Sequence, residues 1–222
     1  MNPGVNGGPA RHPLPAALLE GRLIAVLRAG HARDCWPVVD VLVANGIRMI
    51  ELTLTTPGAL DALPEIRRHT GSDAIIGVGT ITTRSEASAS LEAGADFLVT
   101  PIHVPGVAEV ALGGGVPVFP GAFTPTEIHR TWSEGATAVK VFPASAVGPS
   151  IVRELAGPFP DIPLMPSGGV GLDAIPLWLG AGAVAVSLGG SLIGDAFSGD
   201  IDALAVRARR ATDAVREWQH RP

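Results

Sequence analysis

The sequence predicts an α/β protein of the (β/α)8 TIM barrel class, and three observations carry that expectation. From residue 23 onward the chain repeats one cadence, a short apolar run followed by a longer amphipathic segment. Eight such runs fit into 222 residues, and strands joined through helices pair in parallel. The ends of the runs carry the polar and glycine residues that a barrel gathers on one face. The chain is shorter than the roughly 250 residues typical of this fold. A doubly wound open sheet is the competing architecture, but it needs fewer strands, and no dinucleotide glycine fingerprint follows the first run.

Residues 1–15 are rich in Gly, Pro and Asn and lack the basic start and apolar core of a signal peptide. They are expected to form a flexible tail ahead of a single barrel domain, residues 16–222. The candidate strands are residues 23–27, 49–54, 75–78, 97–99, 116–119, 138–141, 164–165 and 184–187, each apolar and rich in β formers. Helical patterns lie between them, at 32–44, 57–69, 83–93, 125–132, 150–155 and 172–179. Several of these open on Pro or a capping hydroxyl and close on Gly. Residues 174–194 carry no charge and are long enough to raise the question of a membrane span. Pro176 and the glycines at 180, 182, 189, 190 and 194 divide them into helix end, turn, strand and loop. No membrane association is expected.

Composition narrows the partners. The net charge is −5, with no basic run, which argues against a nucleic-acid surface and leaves small molecules. Cys35 is the one cysteine, so the sequence offers neither a disulfide framework nor a cysteine metal cluster, as suits a reducing cytoplasm. His12, His31, His69, His103, His129 and His220 lie far apart. No metal and no cofactor is expected.

Lys140 is the chemical centre of the sequence. It is the only lysine among 16 Lys plus Arg. Arginine serves for surface charge but stays protonated, so a nucleophilic amine has to be lysine. Val139, Val141 and Phe142 surround it with apolar side chains, and desolvation favours the neutral amine that attacks a carbonyl. Strand alternation turns Ile50, Leu52 and Leu54 towards the helices and Met49, Glu51 and Thr53 into the barrel, where Glu51 meets Lys140. The plain alternative is a structural ion pair. The other strand ends are Arg28, Thr55, Thr80, Pro101 and two glycine turns, Ser167-Gly168-Gly169 and Gly189-Gly190-Ser191. Backbone N–H groups at those turns suit a phosphate, each turn being expected to open a helix.

Ile24-Ala25-Val26-Leu27-Arg28, Ile50-Glu51-Leu52-Thr53-Leu54, Gly77-Val78-Gly79-Thr80, Phe119-Pro120-Gly121, Val139-Lys140-Val141-Phe142-Pro143, Pro166-Ser167-Gly168-Gly169-Val170 and Gly189-Gly190-Ser191 run in one order. Together they resemble the 2-keto-3-deoxy-6-phosphogluconate (KDPG) aldolase family, from about residue 20 to 215. The resemblance implies a metal-free class I aldolase of the Entner–Doudoroff pathway, a homotrimer that cleaves a phosphorylated keto-deoxy acid to pyruvate and glyceraldehyde 3-phosphate. It places the Schiff base on Lys140, general acid/base work on Glu51, a substrate contact on Thr80 and phosphate on Gly168, Gly169 and Ser191. By their strand-end positions Arg28, Thr55, Pro101, Phe142 and Ser167 are further expected substrate contacts, and Gly190 a further phosphate contact. Many members have Arg where this chain has Thr55, and Arg28 is the candidate substitute for the substrate carboxylate. The galactonate epimer is an alternative substrate, and a sugar-phosphate-binding barrel without aldolase activity is an alternative function.

Overall fold

The computed structural model describes residues 9–220. Its strands are β1 Leu23–Leu27, β2 Met49–Thr53, β3 Ile75–Gly79, β4 Leu98–Val99, β5 Val118–Phe119, β6 Gly121–Ala122, β7 Val139–Val141, β8 Leu164–Pro166 and β9 Val186–Leu188. They form two parallel sets, β5-β4-β3-β2-β1-β9 and β6-β7-β8. Nine strands fill eight barrel positions because Pro120, which has no N–H to give a ladder, divides the fifth into β5 and β6. Across that break Thr137 N–H donates to Val118 O and Lys140 N–H to Pro120 O, each at 2.9 Å. On the opposite side a parallel bridge between Ser167 and Ser187 joins the sets, helped by Val184 N–H donating to Leu164 O at 2.9 Å. The expected barrel is present, with strand limits displaced by one or two residues.

The helices are α1 Ala16–Gly21, α2 Cys35–Ala44, α3 Ala59–Thr70, α4 Arg84–Glu92, α5 Val107–Gly113, α6 Pro125–Ser133, α7 Ser150–Ala156, α8 Ile175–Gly180, α9 Gly190–Ile193 and α10 Ile201–Gln219. Capping boxes start two of them. Thr83 and Glu86 exchange side-chain and backbone bonds at α4, and Thr124 and Glu127 do the same at α6, where Pro125 fills the first helical position. With α9 only one turn long, the long α10 packs on α2, α8 and α9.

Alternation along the strands sorts the core into two layers. Ile50, Leu52, Val139, Val141 and Val186 meet the helices. Ile24, Met49, Phe97, Val99, Phe119, Ala138, Met165 and Ala185 fill the barrel interior, and Leu18 of α1 packs with them. Phe97 and Phe119 meet edge to face at 5.8 Å between centroids. A Cβ on Gly77 would lie 2.5 Å from the Phe97 ring, so β3 needs glycine there to seat it.

Residues 1–8 of the expected tail lie outside the described residues. Residues 9–15 pack rather than trail: the Arg11 guanidinium sits 3.3 Å above the Trp132 ring and donates to Ala136 O at 3.3 Å, while Leu14 packs against the interior cluster. Among the described residues no helix is long and apolar enough to cross a membrane.

Candidate active site

A cavity of about 620 Å³ opens at the C-terminal ends of the strands. Glu51 of β2 and Lys140 of β7 form its floor, with Nζ 4.0 Å from Oε2. Both are deeply buried, at 1% and 5% exposure. The Glu51 carboxyl occupies space that β3 leaves vacant, since a Cβ on Gly79 would fall 1.8 Å from Oε1. Neither carboxyl oxygen has a hydrogen-bond partner among the described residues. Burial pushes this carboxyl above the usual range, and the charges of Lys140 and Arg28 draw it only partly back. The pair thus sets a carboxyl whose pKa is raised by burial beside the chain's one side-chain amine, with the Phe142 ring centroid 5.4 Å from Nζ.

Arg28 and Thr80 stand at the mouth. Arg28 Nη2 donates to Thr80 Oγ1 at the long distance of 3.5 Å. Thr80 adopts φ +61°, a left-handed conformation that costs a β-branched residue on the order of 1–3 kcal/mol. Nothing in the sequence signalled that strain. Pro101 and Phe142 continue the wall. Thr55 does not join it: the residue is exposed, and its hydroxyl donates to Thr53 Oγ1 at 3.0 Å. Its expected place among the substrate-binding residues is therefore not supported by its position.

Ser167, Gly168, Gly169, Gly190 and Ser191 line the far side. Gly168 and Gly169 have φ of +85° and +74°, and side chains there would strike Phe142 and Ser145 at 2.8 and 2.5 Å. Ser191 Oγ donates to Val170 O at 2.6 Å and ties the two loops together. The first loop does not open a helix as expected, because a single turn at Leu172–Ala174 precedes α8. Among the described residues the N–H groups of Gly169, Val170, Gly190 and Ser191 find no protein acceptor, so the loops offer backbone donors in place of a cation. Sequence reasoning missed the apolar part of this wall, Val26, Ile193 and Phe197, because apolar residues within a strand or in the segment after it read as core.

Fold and site define a (β/α)8 barrel built around a buried amine–carboxyl pair at the C-terminal face of its strands. The family model described as KDPG and KHG aldolase matches residues 15–206, and the chain belongs to that family. A 2-dehydro-3-deoxy-phosphogluconate aldolase of Treponema pallidum is 36% identical over 158 residues, 71% of this chain and 75% of the relative. A probable 2-dehydro-3-deoxy-6-phosphogalactonate aldolase of Rhizobium meliloti is 31% identical over 207 residues, 92% and 97% of the two chains. Among solved structures, that of native KDPGal superposes with a TM-score of 0.84 at 30% identity, over 90% of this chain and 96% of the other.

Proposed function

We propose that the protein is a class I aldolase that cleaves 2-keto-3-deoxy-6-phosphogluconate to pyruvate and glyceraldehyde 3-phosphate. The observation that carries this reading is the 4.0 Å approach of Lys140 Nζ to a buried Glu51 carboxyl that accepts no hydrogen bond among the described residues. A structural ion pair would use hydrogen bonds to offset its desolvation, whereas these carboxyl oxygens remain free to exchange protons with a third group in the cavity.

Neutral Lys140 adds to the C2 ketone, forming the C–N bond and a carbinolamine. Protonation of its hydroxyl from Glu51 releases water and leaves an iminium ion. The C4 hydroxyl then gives up its proton to the Glu51 carboxylate, and the electrons of C3–C4 move into the iminium as that bond breaks. The aldehyde departs. The remaining enamine takes a proton at C3, and water returns to C2 to release pyruvate and the amine. Arg28 and Thr80 receive the substrate carboxylate at the mouth, and the donors of the two glycine loops receive the phosphate.

The direct test is reduction with borohydride in the presence of pyruvate. The chain should gain one reduced pyruvyl group on the peptide containing Lys140, and Lys140→Arg should lose both adduct and activity while keeping its fold. An active wild type that forms no adduct would exclude the Schiff base. The relation to the Rhizobium relative supports the galactonate epimer as a second reading, and kcat/KM for the two C4 epimers separates the two. The proposed reading also includes a cytoplasmic homotrimer in the Entner–Doudoroff route, for which light scattering tests the assembly.

A further inference from the structure

The aim of Arg28 is not set by its own side chain. Among the described residues the guanidinium has one hydrogen bond, to Thr80 at 3.5 Å, and the residue is exposed. Its backbone is held far more firmly. Thr53 Oγ1 donates to Leu27 O at 3.0 Å, and Ala29 N–H donates to Thr56 Oγ1 at 3.1 Å. The first bond fixes the peptide unit before the Arg28 Cα and the second fixes the unit after it.

Proton counting orders the rest of the cluster. A threonine hydroxyl has one proton and two acceptor sites. That of Thr53 is committed to Leu27, so in the 3.2 Å contact between Thr53 and Thr56 the donor is Thr56. Thr55 supplies a second donation to Thr53 at 3.0 Å. Each hydroxyl proton is used, and both Thr53 and Thr56 are buried, at 0% and 2% exposure. Neither lines the cavity.

We propose that Thr53 and Thr56 are positioning residues that clamp the two peptide units around Arg28 and so direct its guanidinium over the mouth. The inference rests on Arg28 as the partner of the substrate carboxylate. That contact is present in ground state and transition state alike, so its loss falls on KM rather than kcat.

The test is a double-mutant cycle in steady-state cleavage of 2-keto-3-deoxy-6-phosphogluconate. Arg28→Ala should raise KM by about 10- to 100-fold, and Thr56→Val, which keeps the shape, by about 3- to 10-fold with kcat within about twofold. Thr56→Ser should restore the parent KM. Arg28→Ala combined with Thr56→Val should be no worse than Arg28→Ala alone, because the clamp has nothing left to aim. Additive effects, a fall in kcat at constant KM, or a serine variant as impaired as the valine one would overturn the clamp. If Arg28→Ala raises KM and Thr56→Val does not, the clamp alone is wrong. If Arg28→Ala leaves KM unchanged, the carboxylate assignment is wrong and the clamp falls with it. Should Thr56→Val fail to fold, Thr53→Val, with Thr53→Ser as its conservative control, carries the same cycle through the bond to Leu27.

Discussion

The Glu51 carboxyl sits where any other residue at 79 would put a side chain, so its position depends on the glycine in β3. Gly79→Ala would place a methyl 1.8 Å from Oε1 and force the carboxyl away from Lys140. Turnover should fall by at least roughly 10²-fold, the lower end of general acid–base work, while circular dichroism still reports a barrel; retained turnover would show that Glu51 need not lie there. Glu51→Gln keeps the shape and removes the proton, and cleavage should slow by roughly 10²–10⁴-fold. The same variant has a signature in stability. Burial raises the folded-state pKa of Glu51, so between the unfolded value and that raised value the folded chain binds more protons there than the unfolded one. Its contribution is full below the unfolded value and is lost as pH rises through the folded one. Melting temperature against pH should therefore decline less steeply above the ordinary carboxylate range in Glu51→Gln than in the parent, and equal slopes would contradict the raised pKa.

At the scale of elements, a helix start that carries a capping box is local chemistry, and the sequence shows two of them plainly. Thr83-Arg84-Ser85-Glu86 and Thr124-Pro125-Thr126-Glu127 are both capping boxes in the structure. Thr124→Ala removes the acceptor for Glu127 N–H and should cost about 1 kcal/mol, a fall of roughly 2–4 °C in melting temperature for a chain of this size. An unchanged transition would mean that packing of α6 alone fixes its start. Glu51, Lys140 and the two glycine loops were equally legible, because strand alternation and strand-end position follow from nearby residues. Features that depend on distant partners were not. Thr55 is drawn out of the cavity by Thr53, and Arg11, ahead of α1, is held by Trp132 of α6. The start of α5 was obscure for a different reason: Gly106, at φ +75°, precedes it with no side-chain cap.

For the whole molecule, the barrel is closed least redundantly between β8 and β9, where one bridge, one backbone bond and the Ser167–Ser187 hydroxyl pair at 3.3 Å span the seam. Ser187→Ala leaves the buried Ser167 hydroxyl without that acceptor and should lower unfolding free energy by about 1–2 kcal/mol in urea; no change in midpoint would assign closure to packing alone. The distribution of cations has a consequence of another kind. The chain's single ε-amine lies at the bottom of the cavity, and the surface cations are guanidinium groups. Acylating or aldehyde reagents that seek lysine therefore find their one side-chain target at the reactive centre. Reagents small enough to enter the cavity should silence the protein by a single stoichiometric event, whereas coupling to a solid support through lysine should capture almost none of it.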